Sequence, residues 1–259
     1  MPATPRFFCP RVAAGPLPLP PDEAHHARTV LRLHPGDAVV LFDGNGTEGR
    51  GTIRGMPADG VLIDLTEIAA IPFDHSVRLT LATAVPRMHR QHFLVEKCTE
   101  LGAYAIQPLL CERSVVRPGD PIVPKWTRIA IEAAKQSRRA WVPRIEPPRS
   151  LSDALAQAPR FDATVILLPD PQSQDFAAFT VAHPRCATIQ AFVGPEGGFT
   201  ADEIDIASRA GAVPVHLGPS ILRIETAALA LAAIVSSCLS RRADRIGEQA
   251  GPRTPSSEA

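Results

Sequence analysis

Thr188-Ile189-Gln190-Ala191-Phe192-Val193-Gly194-Pro195-Glu196-Gly197-Gly198-Phe199-Thr200-Ala201-Asp202-Glu203 reads as strand, loop and helix start without a break. The run to Val193 is short and apolar, as in a buried strand. Gly194, Gly197 and Gly198 let the backbone approach a ligand and leave amide donors free. Pro195 stiffens the loop, and Glu196 is the one charged group in it. Thr200 with Glu203 has capping-box spacing, and Gly211 is placed to end the helix that follows. In open α/β sheets, ligands bind outside the carboxyl ends of strands, where this loop falls.

A tight strand-to-helix turn with an N-cap has the same local pattern. The next segment separates the two readings. Val213-Pro214-Val215-His216-Leu217 is a further strand, with its proline indicating an edge or the first residues. Leu217-Gly218 turns, and Ile221-Leu222-Arg223 is apolar except for one cation. Glu225-Thr226 opens an alanine-rich helix from Ile224 to Ser240. Two loops of this kind, separated by one helix–strand unit, point to a shared pocket.

Upstream of this pair the pattern alternates. Strands are expected at Val77–Ala84, Ala105–Leu110 and Thr164–Leu168. Helices are expected at His92–Leu101, Pro124–Arg139 and Leu151–Gln157. Such alternation predicts an α/β domain with a largely parallel sheet. Before Pro72 the chain reads mostly as strand: Ala38–Phe42, Gly51–Arg54 and Val61–Leu65, with a short helix over Pro21–Leu33. Three regions follow: residues 1–73, residues 74–243, and a polar tail, 244–259, expected to be disordered. Gly44-x-Gly46-x-x-Gly49 matches a dinucleotide fingerprint, but strand and turn residues follow it where a helix is required, so it reads as a hairpin.

With 27 basic and 27 acidic residues in 259, the net charge is zero, so a nucleic-acid site must be a local patch. Arg87, His89, Arg90 and His92 form one basic cluster, and Lys135, Arg138 and Arg139 another; a solvated helix face gives the same pattern. Five scattered cysteines with no Cys-x-x-Cys exclude a disulfide framework and a structural zinc, and no metal is expected. The longest apolar run, Ala227–Val235, is too short to span a bilayer, and the N-terminus has no signal core. A cytoplasmic, reduced protein is expected.

The two loops together resemble the cofactor-binding signature of the SPOUT methyltransferases, knotted enzymes that use S-adenosylmethionine. The resemblance is greatest to the family that methylates N3 of a uridine in 16S (small-subunit) ribosomal RNA. It extends over nearly the whole chain: His26, Val30-Leu31-Arg32 and Pro35-Gly36-Asp37; Glu96-Lys97-Cys98-Thr99-Glu100-Leu101-Gly102; Glu112-Arg113; Trp126 and Ile129–Ala133; Gln136-Ser137, Arg139 and Pro143. It implies a small N-terminal PUA-like β-barrel domain that binds RNA, a C-terminal SPOUT domain with a parallel sheet and a trefoil knot, and a homodimer. It places the S-adenosylmethionine pocket on Leu168, Gly194, Pro195, Glu196, Gly197, Gly198, Leu217, Gly218, Ile221, Leu222, Thr226 and Ala227. It places Arg223 at the target nucleotide; removing the N3 proton of uridine then calls for that cation to stabilise charge on the uracil oxygens, with Glu225 or Glu196 as orienting group or base. Arg32, Arg87, Lys97, Arg113 and Arg139 are the candidate RNA contacts.

Two stretches depart from the family. Lys135-Gln136-Ser137-Arg138-Arg139 replaces a usual Glu-Gln-Ser/Cys-Gly-Arg, and Pro86-Arg87-Met88-His89-Arg90 replaces a stretch that often holds Lys-Gly. Both keep or add positive charge. A catalytically silent RNA-binding module and a methyltransferase for another RNA are the rival readings; the complete pair of loops counts against the first.

Overall fold

The computed structural model describes residues 4–248 apart from 74, 76 and 120, with side chains described as far as residue 237. The chain divides into two compact units. The first takes in Met1–Asp74, Val95–Tyr104 and Pro121–Ile145; the second takes in His75–Leu94, Ala105–Asp120 and Glu146–Ala259. The expected cut near residue 73 is therefore only part of the division, because two later segments pack with the first unit.

In the first unit, β1 (Arg6–Phe8), β2 (Gly15–Pro18), β3 (Ala38–Phe42), β4 (Thr47–Gly55) and β5 (Leu62–Ala70) form one sheet in the order β1-β3-β4-β5-β2. β1 runs parallel to β3, and the remaining pairs are antiparallel. β1 and β2 escape sequence reading. β2 holds Pro16 and Pro18, which an edge strand tolerates because one side of it needs no donors. The glycine decoy lies in the β3–β4 connection, where Gly44 and Gly46 take φ of 75° and 92°. The expected Pro21–Leu33 helix is α1 (Pro21–His25) followed by a π-helical turn, His26–Val30. Phe7, Leu41, Ile53 and Ile63 fill the core of this unit.

Two helices contribute to both the sequence pattern and the core: α2 (His89–Glu100) and α3 (Ile122–Ser137). Lys135 of α3 bonds both carboxylate oxygens of Glu23 at 3.0 Å, so it belongs to an ion pair rather than to a basic surface patch. Arg138 caps α3 in the left-handed region at φ 59°.

The second unit holds the parallel sheet. β6 (Arg78–Ala84), β7 (Ala105–Leu110), β10 (Ala163–Leu167), β12 (Thr188–Val193) and β13 (Val213–His216) lie in the order β13-β10-β12-β6-β7. The two-residue strands β8 (Arg144–Ile145), β9 (Arg149–Ser150) and β11 (Gln174–Asp175) are too short to carry a pattern. β11 pairs only with Val215 and His216, so Pro214 meets a strand on one side alone, as its missing donor requires. α4 (Leu151–Leu155), α5 (Phe176–Ala182), α6 (Ala201–Arg209) and α7 (Ile224–Glu248) complete the unit. α5 was not expected; its cap is Asp175, whose carboxylate accepts from Ala178 N at 2.9 Å.

The tail reading is corrected at its start. α7 continues to Glu248, past the expected boundary at 243 and through Gly247. Residues 249–259 of the expected tail lie outside the described residues. Among the described residues, no helix is long and apolar enough to cross a membrane.

Candidate active site

The register of the sheet creates the site. Val165 pairs with both Ala191 and Val213, so β10, β12 and β13 reach their carboxyl ends together. A cavity of about 250 Å³ opens there. Leu167, Leu168 and Pro169 line it from the end of β10; Val193 to Phe199 from β12; and His216, Leu217, Gly218, Ser220, Ile221 and Leu222 from β13. Ile224 and Ala227 of α7 close it. Leu168 N donates to Val215 O at 2.9 Å, which extends the sheet contact to the pocket floor.

The β12 loop is held from three directions. A turn closes it, with Gly198 N donating to Pro195 O at 2.8 Å and Gly198 at φ 71°. Phe199 is buried in the main core with Ile166, Phe192 and Ala207. The Phe199 ring lies so close to Gly194 that a Cβ there would stand 2.9 Å from it. The expected capping box is complete: Glu203 N donates to Thr200 Oγ1 at 3.2 Å, and Thr200 N to Glu203 Oε2 at 2.9 Å. The other oxygen of Glu203 accepts from Glu112 N at 2.8 Å. Arg113 Nη1 donates to Gly197 O at 2.9 Å. Arg113, anticipated as an RNA contact, is thus a brace behind the glycine loop. Next to it Cys111 is buried; desolvation, with a smaller contribution from the Glu203 charge, pushes its thiol up to about 12, which makes it inert filler.

The β13 loop has fewer ties. Gly218, at φ 100°, donates its N–H to His216 Nδ1 at 3.0 Å. Ile221 is 85% exposed at the mouth of the cavity. The amide N–H groups of Gly197, Ile221 and Leu222, all on residues lining the cavity, find no acceptor among the described residues. The site therefore offers apolar walls together with uncommitted backbone donors, at a volume near the roughly 300 Å³ where small-ligand pockets begin.

Of the residues anticipated for the cofactor, all but one line this cavity. Thr226 is the exception: it is exposed, one position before the pocket-lining Ala227 on a helix whose successive side chains point in different directions. Leu167, Val193, Phe199 and His216 were not anticipated. Their signal was available, since each ends a strand or anchors a loop. Glu196 lines the cavity and is itself exposed. Arg223 is exposed, and its guanidinium has no partner among the described residues. Glu225 is 7% exposed and pairs with Arg90 Nε at 3.5 Å, not with Arg223 two positions before it. It is withdrawn from the cavity and is not placed to act as a base there.

The remaining candidates are dispersed. Arg87 lies in the second unit, exposed at the start of the α2 region. Arg32 and Arg139 lie in the first unit, Arg32 exposed at φ 52°. Lys97 is bound to Glu100 at 2.7 Å and Glu96 at 3.0 Å; the Glu100 hydrogen bond, then that of Glu96, hold its ammonium above its ordinary value. That pairing makes it a structural cation.

Comparison with known proteins agrees with this geometry. The family model of an RNA methyltransferase domain matches residues 74–236, and that of an RNA methyltransferase PUA domain matches residues 19–66. Ribosomal RNA small subunit methyltransferase E of Bacillus subtilis is 32% identical over 222 residues, covering 82% of this chain and 87% of its own. The enzyme of that name in Mycobacterium tuberculosis is 33% identical over 224 residues, covering 82% and 83%. The crystal structure of the Neisseria gonorrhoeae small subunit methyltransferase E bound to S-adenosyl methionine superimposes with a TM-score of 0.83 at 30% identity, over 92% of this chain and 98% of that one. A Legionella pneumophila methyltransferase in complex with bound SAM gives 0.82 at 28% identity, over 91% and 98%. With a family model over more than half its length and such relatives over four-fifths of it, the chain belongs to the RNA methyltransferase family that includes ribosomal RNA small subunit methyltransferase E.

Proposed function

We propose that this protein transfers a methyl group from S-adenosylmethionine to N3 of a uridine in the 16S RNA of the small ribosomal subunit. The observation that carries the reading is the cavity at the joint carboxyl ends of β10, β12 and β13, with free backbone donors on its walls and the unpaired Arg223 on the loop that forms its second wall. Bound there, S-adenosylmethionine supplies an electrophilic methyl on a sulfonium, so the reaction calls for no metal. Leu168, Leu217, Ile221, Leu222 and Ala227 form the apolar surface for adenosine. The amides of Gly197, Ile221 and Leu222 are the donors for its polar atoms, and the methionine end lies toward Glu196 and the glycines.

N3 of uridine carries a proton at neutral pH, which must leave as the N–C bond forms. Arg223 stabilises the charge that develops on the uracil oxygens, as preorganised cations do at oxyanions. Glu196, the carboxylate on the cavity wall, is the candidate acceptor for the proton. The protein's remaining task is to hold N3 in line with the methyl group, with the target base turned out of its stack to reach it. The PUA-like unit grips RNA, and we extend the reading to its closed barrel form, to a trefoil knot in the methyltransferase unit and to a homodimer.

The test is to incubate the protein and labelled S-adenosylmethionine with small subunits lacking the modification, then to identify the methylated nucleoside by mass spectrometry. N3-methyluridine at one position, lost in Arg223→Ala, is the expected result. Cofactor binding with no transfer to the subunit would sink the substrate assignment.

A further inference from the structure

Beside the cavity lies a second, open groove of about 420 Å³, lined by Arg87, Met88, His89, Arg90, Val115 and Glu196. Glu196 belongs to both, so the groove continues the cavity outward. Its lining combines three kinds of chemistry. Arg87 and Arg90 bring positive charge to its lining, beside His89. Met88 and Val115, 80% and 57% exposed, give it an apolar wall. Glu196 marks the end shared with the cavity.

Arg90 is the residue most committed to this arrangement. Its Nε faces Glu225 Oε1 at 3.5 Å. Glu225 Oε2 is buried without a hydrogen-bond partner, so Arg90 is the one partner of a buried carboxylate among the described residues. The pairing uses the inner edge of the guanidinium. The terminal nitrogens, Nη1 and Nη2, make no hydrogen bond among the described residues, and the side chain remains 30% exposed. A planar cation fixed from behind with its fork free is the form that recognises a phosphate in bidentate fashion. Arg87 is exposed, and its side chain has no partner among the described residues. Met88, at φ 45°, holds the turn beside the groove in a backbone conformation that non-glycine residues adopt rarely.

We propose that this groove is the subsite for the target nucleotide, with its phosphate on Arg90 and Arg87 and its pyrimidine ring along Met88 and Val115 toward Glu196. The inference rests on the methyltransferase reading and deepens it. It divides the labour between two arginines: Arg223 faces the base, and Arg90 anchors the phosphate. Glu225 acts through Arg90 and is a positioning residue. A phosphate anchor explains why a buried carboxylate sits two positions from the proposed catalytic cation without pairing to it: it keeps Arg90 aimed and leaves Arg223 to the base.

The test uses uridine 5′-monophosphate and uridine as probes, titrated into the full chain saturated with S-adenosylhomocysteine and followed by saturation-transfer NMR. The wild-type protein should prefer the phosphorylated probe by about tenfold, the scale of a charge-assisted bidentate contact. Arg90→Ala strands a buried charge and risks misfolding. Arg90→Lys keeps the charge facing Glu225 but has no fork to share, and Arg87→Ala changes an exposed side chain. Both should lower the preference to under about threefold, the size of a lost monodentate contact, while S-adenosylhomocysteine affinity stays at its wild-type value. Equal binding of the two probes by the wild type, or a preference unchanged in both variants, would overturn the proposal. Loss of the preference together with cofactor affinity would overturn it too, because the guanidinium would then be structural. Phosphate-dependent binding in a protein that transfers no methyl group to small subunits would leave the groove standing and remove the ribosomal substrate.

Discussion

The two walls of the cavity are built on the same plan and held very differently. Each leaves the carboxyl end of a parallel strand, turns at glycine and enters a helix. The first, Gly194–Thr200, is tied by Phe199 in the core, by the Thr200–Glu203 capping box, by Glu112 and by the Arg113 brace. The second, Leu217–Arg223, is tied among the described residues by the Gly218 N–H to His216 and, at its helix end, by Ala227 N donating to Arg223 O at 2.8 Å, and it exposes Ile221 and Arg223. Ordering a backbone costs conformational entropy, roughly 1–2 kcal/mol per residue. The first wall meets that cost at folding and presents amides already in place. The second keeps its side chains open to whatever enters. On the proposed reading, the first wall offers the cofactor a preset backbone, while the second adds adaptable cofactor contacts through Leu217, Ile221 and Leu222 and carries Arg223 for the substrate.

Arg223→Ala should have the largest effect. If the cation acts only on developing charge, methyl transfer falls by about 10²–10³-fold with cofactor affinity intact. Single-turnover rates beside calorimetric titration separate the two, and a parallel loss of cofactor binding would break the division between the walls. Gly194→Ala tests the opposite side. The added Cβ must displace the Phe199 ring, so we expect overpacking of about 1–3 kcal/mol, read as a lower denaturation midpoint together with weakened cofactor binding. A variant with wild-type affinity would show that the first wall is not preset by the core.

Thr200→Ala removes half of the capping box and should cost about 1 kcal/mol in denaturant unfolding, with a smaller change in cofactor affinity because Phe199 and Arg113 still hold the loop. Ile221→Ala sharpens the other half of the comparison: at 85% exposure, its loss should shift stability by less than about 0.5 kcal/mol while loosening the cofactor measurably. Equal losses in both quantities would mean that the second wall is packed after all.

The amino ends of the same strands supply a control. Asp162 accepts from Ala187 N, Thr188 N and Thr188 Oγ1, tying the start of β10 to the start of β12. The Ala187 amide, then the Thr188 hydroxyl and amide, hold its carboxyl below the ordinary 3.8. A depressed folded value stabilises the fold above the unfolded value and loses that contribution as pH falls through the folded one. The gap in melting temperature between the wild type and Asp162→Ala should therefore be full above the ordinary carboxylate range and shrink in acid below it. Cofactor affinity near neutrality should not change. A gap independent of pH would show that the contact acts by packing alone.

Much of the site was legible before any coordinates. Parallel strands buried on both faces show as apolar runs, so β6, β7, β10 and β12 could be read directly, and glycines at their ends marked the loops. Thr200 and Glu203 disclose a cap because its partners lie three residues apart. Other elements gave no such signal. β2 is disguised by its prolines, and β8, β9 and β11 are two residues each. Two basic residues read as RNA contacts turned out to be occupied: Lys97 by Glu96 and Glu100, and Arg113 by a carbonyl 84 residues away.

The sequence alone determined the local pieces: which runs become strands, where loops turn on glycine, and which helix start is capped. Those are settled by interactions between residues a few positions apart. Only the tertiary structure decided that three strand ends coincide, that Glu225 turns to Arg90 rather than to Arg223 two positions away, and that Arg113 is taken while Arg223 has no side-chain partner among the described residues. Contacts across the chain depend on sheet register and on competition for partners, and neither is encoded in the spacing of any one segment.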